Sequence, residues 1–352
     1  MSLESYCRAI PKAELHVHLE GSLRPATLLA LARRHNVDLP ATTEGDLARW
    51  FQFRDFDHFS RIYGVICECL RDAADFERVV YDFGAEMARQ NVRYAEVSVS
   101  AARHRARGVD VDTFLPGINR GRELAKRDFG VEMRWIFTVI RRWDDQALTR
   151  PMADYVTDVA VEARNEGVVA LGLAGAEEGA PPEPFEPWFD WARTNGLHSA
   201  PHAGEMMGAE SVWGAIRSLG AERIAHGVRA VEDAELVEFL AGRDIALDVC
   251  PRSNVCLGVY PGLGEHPLGR LFDAGATITI NSDDPPMFGT TLSDEVETLP
   301  AVFGLGSGEI DEIVLNGVRY SFLRDDEKSE YMTMFRREMD ELKDAHLTAA
   351  TE

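Results

Sequence analysis

Ala13-Glu14-Leu15-His16-Val17-His18-Leu19 is the first of several short, strand-like stretches that together decide the fold. Because side chains alternate between the two faces of a β-strand, His16 and His18 point to the same side and can hold one metal ion. Comparable apolar, β-branched stretches recur along the chain, separated by longer segments with helical periodicity. This alternation predicts repeated strand-helix units and a parallel sheet.

Eight strands are predicted, and their positions set the expected architecture. Their bounds are Ala13–Leu19, Val92–Ser100, Glu132–Ile140, Val168–Gly175, Leu197–Glu205, Arg223–Arg229, Ile245–Cys250 and Ala276–Ser282. We expect them to close into an α/β fold of the (β/α)8 TIM barrel type, as a single catalytic domain spanning residues 1–352. Glycines and polar residues follow several strands, at the end where barrel enzymes build their sites.

Residues 24–91 are too many for one crossover helix between the first two strands. They contain the aromatic residues Trp50, Phe51, Phe53, Phe56, Phe59 and Tyr63. We predict extra helices that cover the barrel mouth; the alternative is that these aromatics pack helices onto the barrel wall. Residues 328–352 are charged and helix-prone, which predicts a terminal helix and a frayed tail.

The composition limits the classes of partner. A formal net charge of -22 argues against nucleic acid and against an anionic membrane surface, and favours a neutral or cationic small substrate. The five cysteines are an odd number without the dense spacing of a disulfide scaffold, which indicates a reducing compartment, and no CxxC pair suggests a thiolate zinc site. The N-terminus has neither a basic lead nor an apolar stretch, and no segment is apolar enough to span a bilayer, so we expect a cytoplasmic location. The sequence gives no oligomeric state.

A metal site is predicted at the ends of the first, fifth and eighth strands. His202 ends the fifth strand beside two small residues that leave room around an ion, and Asp283 follows the eighth strand, which neighbours the first in a closed barrel. Three imidazole nitrogens and one carboxylate form a mononuclear zinc site with room for water. The predicted ligands are His16, His18, His202 and Asp283.

Three further residues are candidates for chemistry beside that ion. Zinc lowers the pKa of a bound water to about 7, so hydrolysis is the natural reaction class. His226, at the end of the sixth strand, is placed to take a proton from that water and hold it. Glu205 is placed to give a proton to the substrate, provided that burial keeps it partly protonated. Asp284 diverges from Asp283 along the backbone, so we expect it to face the substrate as a hydrogen-bond acceptor.

Five motifs in this order resemble the adenosine deaminase family. They are His16-Val17-His18-Leu19-Glu20-Gly21, His202-Ala203-Gly204-Glu205, Ile224-Ala225-His226-Gly227, Cys250-Pro251-Arg252-Ser253-Asn254 and Asn281-Ser282-Asp283-Asp284-Pro285. The resemblance implies a barrel of the metal-dependent hydrolase type that carries one Zn2+ per chain. It also implies that the substrate is a purine nucleoside, whose 6-amino group is replaced by oxygen as ammonia leaves.

The same resemblance implies individual roles. The four predicted ligands take the family's metal-binding roles, and His226 matches the histidine that orients and deprotonates the attacking water. Glu205 matches the proton donor to ring N1, Asp284 the contact to ring N7, and Gly175 a backbone donor to ring N3. Glu20 stands where adenosine deaminases usually carry an aspartate that contacts the ribose 5′-hydroxyl, and its extra methylene shifts or fills that subsite.

Other departures keep the substrate open. Gly172 and Ala176 replace aspartates that are common in the family's Asp-Leu-Ala-Gly-Asp-Glu motif. Residues 97–101 also differ from the sequence that adenosine deaminases usually have there. We rank adenosine or a close nucleoside first, aminodeoxyfutalosine with its bulky 5′ aromatic acid second, and free adenine third. A zinc-binding protein without turnover would have little use for both Glu205 and His226. A binuclear amidohydrolase often carries a carboxylated lysine at a middle strand, where this chain has none.

Overall fold

The computed structural model describes residues 2–142 and 145–347, so the predicted tail beyond residue 347 lies outside the described residues. The strands are β1 (Lys12–His18), β2 (Val92–Val99), β3 (Glu132–Ile140), β4 (Val168–Ala174), β5 (His198–Ser199), β6 (His202–Ala203), β7 (Arg223–His226), β8 (Ala246–Val249) and β9 (Ile278–Ile280). All the strand pairs recorded are parallel, in the order β1 to β5 in one sheet and β6 to β9 in the other.

The strands β5 and β6 are two halves of the predicted fifth strand. Pro201 lies between them and has no N–H to donate to a ladder, which interrupts the regular pairing. Backbone contacts nevertheless continue on both sides of the interruption. The Ala200 N–H donates to the carbonyl oxygen of Leu171 at 3.1 Å, and the Ala225 N–H donates to that of Pro201 at 3.0 Å.

The barrel closes between β1 and the residues that follow β9. The Asp283 N–H donates to the carbonyl oxygen of His16 at 3.0 Å, and the His18 N–H donates to that of Asp283 at 2.9 Å. Just before this bridge, the side-chain oxygen of Asn281 accepts from the backbone N–H groups of Leu15 and His16, at 2.8 and 3.2 Å. The side chain thus takes the place of a strand backbone there. The predicted eight-stranded barrel is confirmed, with the fifth strand in two parts.

Helices surround the strands on the outside of the barrel. Their bounds are α1 (Leu3–Ala9), α2 (Pro25–His35), α3 (Glu44–Trp50), α4 (Phe56–Glu68), α5 (Ala73–Arg89), α6 (Ala101–Ala106), α7 (Val111–Phe129), α8 (Thr149–Glu162), α9 (Glu186–Thr194), α10 (Ala209–Leu219), α11 (Ala234–Arg243), α12 (Pro251–Cys256), α13 (Leu268–Asp273), α14 (Pro285–Phe288), α15 (Leu292–Phe303), α16 (Ser307–Arg319) and α17 (Asp325–His346). In the part of the chain that the structure describes, none of them is both long and apolar enough to cross a lipid bilayer.

The segment between β1 and β2 forms α2 to α5, and these helices divide between the two predicted roles. Helix α4 begins after Asp55, whose side chain caps it by accepting from the His58 N–H at 2.7 Å, and it lines the central cavity. Helix α5 begins after Asp72 with a capping box and packs against α7, next to the barrel wall.

A cluster of buried charges fills the barrel interior below the strand ends. The guanidinium group of Arg223 contacts Asp248 through Nε at 2.5 Å and Glu96 through Nη2 at 2.6 Å. The other oxygen of Asp248 accepts from Thr279 Oγ1 at 2.6 Å. We call Arg223, Glu96, Asp248 and Thr279 the interior cluster. It links β2, β7, β8 and β9 across the barrel.

Candidate active site

The structure brings the four predicted metal ligands together at one point. Nε2 of His202 lies 3.1 Å from Nε2 of His16 and 3.2 Å from Nε2 of His18. One oxygen of Asp283 lies 3.5 and 3.3 Å from the same atoms of His16 and His18. All four side chains are buried. Residues from β1, from β6 and from the bridge after β9 therefore meet, which only a closed barrel allows.

This donor set fits a tetrahedral divalent ion. The Nδ1 of His16 faces the carbonyl oxygen of Asp248 at 3.2 Å, so the neutral ring holds its proton there and turns its Nε2 lone pair to the cluster. Ligands placed 2.0–2.1 Å from a tetrahedral zinc ion lie about 3.3 Å from one another. The four separations recorded among these donors, 3.1, 3.2, 3.3 and 3.5 Å, are close to that value.

Two residues of the site have strained backbones. His226 and Asp283 have φ values of 64° and 62°, in the left-handed region that residues with a side chain rarely adopt. Each follows or ends a strand, and the turn directs its side chain into the cavity. The second oxygen of Asp283 accepts from Ser253 Oγ at 2.6 Å, which fixes the carboxylate's rotation.

Glu205 lies beside His226, with 3.6 Å between Oε2 and Nε2. Burial raises the pKa of Glu205 well above its usual value, and the charges of Asp283 and Glu177 raise it further. The shift favours the protonated form of the carboxyl group. This is the protonation state that a proton donor requires.

Glu177 anchors the loop that carries Glu205, and the sequence analysis gave it no role. Its buried carboxylate accepts from four consecutive backbone N–H groups, those of residues 204 to 207, at 2.9 to 3.3 Å. Arg141 holds the same loop from the other side by donating to the carbonyl oxygen of His202 at 2.6 Å. The sequence signal for Glu177 was its position two residues after Gly175, where a predicted strand ends.

Asp284 and Gly175 both line the cavity. Burial raises the pKa of Asp284 well above its usual value, and Asp283 adds to the effect. A protonated carboxyl can donate to a ring nitrogen, whereas the sequence analysis expected only an acceptor. Gly21 packs so closely on Asp284 that a Cβ atom there would lie 1.6 Å from its Oδ1, so a larger residue at position 21 would displace the carboxyl.

Glu20 is placed differently from the other predicted site residues, because it is not among the residues that line the cavity. One oxygen accepts from the Ser100 N–H at 2.9 Å and contacts His104 Nε2 at 2.7 Å; the other accepts from the Tyr63 hydroxyl at 2.7 Å. Burial alone would raise the pKa of Glu20, but the bonds from His104 and Tyr63 outweigh it and lower the pKa to about 2. We call Glu20, Tyr63, Ser100 and His104 the Glu20 network.

The outer wall of the cavity is formed by helix α4 and by residues that follow β2. Helix α4 contributes Phe56, Phe59 and Tyr63, whose spacing places them on one helix face. Ser100 and Arg103 follow β2 and complete that wall. The helical spacing of the aromatics was visible in the sequence, but the side of the barrel that they face was not.

Comparison with known proteins agrees with this geometry. A model of the adenosine deaminase family matches residues 11–336. An aminodeoxyfutalosine deaminase from Streptomyces coelicolor is 39% identical over 321 residues, which are 91% of this chain and 82% of that protein. An adenine deaminase from Cupriavidus pinatubonensis is 36% identical over 331 residues, covering 94% of this chain and 93% of that protein.

Solved structures show the same fold. The adenine deaminase of Arthrobacter aurescens superposes with a TM-score of 0.84 at 32% identity, covering 95% of this chain and 99% of that one. An amidohydrolase from Burkhoderia ambifaria, solved with bound zinc, gives a TM-score of 0.87 at 26% identity over 98% of this chain and 95% of that one. The chain therefore belongs to the adenosine deaminase family and is a hydrolytic deaminase of adenine-like rings.

Proposed function

We propose that this chain binds one zinc ion and replaces the 6-amino group of adenosine, or of an adenosine-like nucleoside, by oxygen. The ligands are His16, His18, His202 and Asp283. The observation that carries the proposal is the convergence of these four donors beside the buried Glu205, on the wall of one cavity. When bound, zinc lowers the pKa of a water molecule to about 7 and so supplies the nucleophile.

The chain's own residues bind the ring and move protons. Glu205 gives its proton to ring N1, which makes C6 more electrophilic. Asp284 donates to N7 and the backbone of Gly175 faces N3, while His226 orients the attacking water from the side of Glu205. The reaction consumes one water, and the products are the 6-oxo ring and ammonia.

A second candidate substrate is aminodeoxyfutalosine, which extends adenosine with an aromatic acid. Beyond Ser60, Arg103 and Ile140 the cavity continues into a second space, which is lined also by Arg61, Arg142 and one carboxylate, Asp57. An anionic extension fits this basic space, although the net charge of the chain suggested a neutral or cationic substrate. The relative from S. coelicolor adds support.

Arg103 is held in place for such a contact. Its guanidinium carbon lies 5.6 Å from the ring centre of Tyr63, and Nη2 donates to Ser60 Oγ at 3.0 Å. Cation–π contact and one hydrogen bond leave other N–H groups free for a carboxylate or a phosphate. Free adenine remains the third candidate, in line with the relatives of that name.

The test compares kcat/KM of the zinc-loaded protein for adenosine, adenine and an adenosine with a 5′ carboxylate-bearing extension, followed by loss of the adenine absorbance band. We expect deamination of at least one nucleoside. If the acid-bearing compound is preferred, Arg103→Met should remove most of that preference while the exposed control Arg54→Met keeps it. The proposal fails if all three compounds are left unchanged.

A further inference from the structure

The ring of His226 is held from behind by a chain of buried hydrogen bonds that ends at the backbone. The Leu268 N–H donates to His266 Nδ1 at 3.2 Å. His266 Nε2 lies 3.1 Å from Asn254 Oδ1, and Asn254 Nδ2 lies 3.2 Å from His226 Nδ1. Asn254 and His266 contribute no atom to the metal cluster, and neither has a role in the proposed function.

The backbone N–H of Leu268 fixes the direction of donation along this series of hydrogen bonds. A backbone N–H only donates, so His266 Nδ1 accepts and the single proton of the neutral ring is on Nε2. That N–H needs an acceptor, and the partner recorded for it is the side-chain oxygen of Asn254. An amide turned the other way would place its NH2 against the His266 N–H. The NH2 of Asn254 therefore donates to His226, whose Nδ1 must accept.

The contact with Asn254 also determines where His226 carries its own proton. A proton on Nδ1 would face the NH2 group of Asn254, so the neutral ring holds its hydrogen on Nε2. Nε2 faces acceptors, with Glu205 Oε2 at 3.6 Å and Asp283 Oδ2 at 3.8 Å. Burial lowers the pKa of His266 to about 4.

We propose that Asn254 and His266 are positioning residues that fix His226 with its hydrogen on Nε2, so that His226 acts on the attacking water as a hydrogen-bond donor and not as its base. The inference rests on the proposed function for its catalytic consequence. The net reaction moves two protons from the attacking water, one to ring N1 and one to ammonia. Glu205 gives its proton to ring N1, takes one from the attacking water, gives that one to the leaving amino group and takes the second from the new hydroxyl, so its carboxyl group ends protonated.

The test reads the tautomer directly. Zinc-loaded protein labelled with 15N in its histidine rings is compared with Asn254→Asp, in which an acceptor replaces the NH2 that faces Nδ1; loss of a signal in His226→Gln assigns the ring. We expect the parent protein to show a protonated Nε2 and the variant a protonated Nδ1. In the variant, kcat should fall about 10- to 100-fold with zinc content and KM retained, as for other residues that orient a site histidine. Asn165→Asp, an exposed position, should change neither the spectrum nor kcat.

Two results would overturn the inference. One is a parent protein whose His226 is protonated on Nδ1. The other is a tautomer that reverses in Asn254→Asp while kcat stays equal or rises, which would make His226 the base. If Asn254→Asp does not fold, the spectrum of the parent protein alone decides the tautomer of His226. His266→Gln, whose NH2 can still donate to Asn254, should then show the same His226 tautomer as the parent. Because the spectrum needs no turnover, a failure of the proposed function would leave this measurement valid and would appear separately as inactivity toward every substrate.

Discussion

Two buried polar clusters lie along the same barrel, and they differ in how well their atoms are paired. In the interior cluster, Arg223 contacts two carboxylates and Asp248 also accepts from a hydroxyl, so each charge has partners. In the cluster at the strand ends, three ring nitrogens crowd one carboxylate. Within the described part of the chain, His202 Nδ1 and Asp284 Oδ1 have no hydrogen-bond partner. Buried polar atoms whose hydrogen-bond partners all come from the protein indicate a structural role. Buried polar atoms that point to one place and lack such partners indicate a ligand site.

The backbone shows the same contrast. The charged members of the interior cluster lie within strands β2, β7 and β8. At the strand ends, His226 and Asp283 adopt left-handed φ values, each of which costs about 1–3 kcal/mol. Strain of this kind persists where the surrounding structure requires a particular side-chain position. The regular strands therefore stabilise the barrel and also carry His16 and His18, whereas the strained positions place His226 and Asp283.

The largest effect that this comparison predicts is for His16→Ala. Removal of one donor leaves three ligands, so we expect zinc content to fall from about one ion per chain to near zero. Activity should fall by about 10^4-fold or more, because water without the ion loses its lowered pKa. Zinc analysis and turnover assays check this. His198→Ala, at a half-exposed histidine paired with Glu222, should keep both values. An unchanged zinc stoichiometry in His16→Ala would remove this histidine from the ligand set.

The next largest effect is expected for Glu205→Gln. The amide cannot supply a proton, so kcat should fall about 10^2- to 10^4-fold while zinc content is retained. Glu222→Gln, at a partly exposed carboxylate, is the matched control. Retained activity in Glu205→Gln would assign proton donation to another group.

The pH profile provides a separate check on Glu205. Because its pKa is raised, the protonated form persists to higher pH than in an ordinary glutamate and is lost as the pH rises through the raised pKa. We expect kcat/KM to decline on the alkaline side, and the residual activity of Glu205→Gln to lack that decline. An identical alkaline decline in both proteins would trace it to a different group.

The contrast between the clusters also explains what the sequence could predict. Strand positions and ligand residues are local signals, since His16, His18, His202 and Asp283 lie at the ends of apolar stretches. The interior cluster is not local, because Glu96, Arg223 and Asp248 become partners only when the barrel closes. The same holds for Glu20, whose partners come from α4 and from the turn after β2. The break at Pro201 was readable from the sequence, because proline disrupts strand pairing.

The interior cluster should affect stability more than catalysis. Arg223→Met leaves Glu96 and Asp248 buried without their cation, so we expect a loss of about 3–5 kcal/mol in the free energy of unfolding. Denaturant titration measures it, and kcat per folded molecule should stay close to the parent value. Arg193→Met breaks a surface pair with Asp190 and should cost less than about 1 kcal/mol. Equal losses in the two variants would contradict the structural role of the interior cluster.

The smallest effect is expected in the Glu20 network. This network lies beside the cavity, but its carboxylate oxygens have protein partners, as in the interior cluster. Tyr63→Phe removes the hydroxyl that donates to Glu20 Oε2 at 2.7 Å and keeps the ring that lines the cavity. If a buried carboxylate with protein partners has a structural role, the free energy of unfolding should fall by about 1–3 kcal/mol, because one carboxylate oxygen loses its donor. Zinc content should not change, and kcat/KM should change less than about 10-fold. Tyr81→Phe, an exposed hydroxyl bonded to Asp128, should fall within about 0.5 kcal/mol of the parent. The opposite pattern, unchanged stability with a larger loss of kcat/KM, would place the Tyr63 hydroxyl in the substrate site and show that pairing alone does not separate structure from function here.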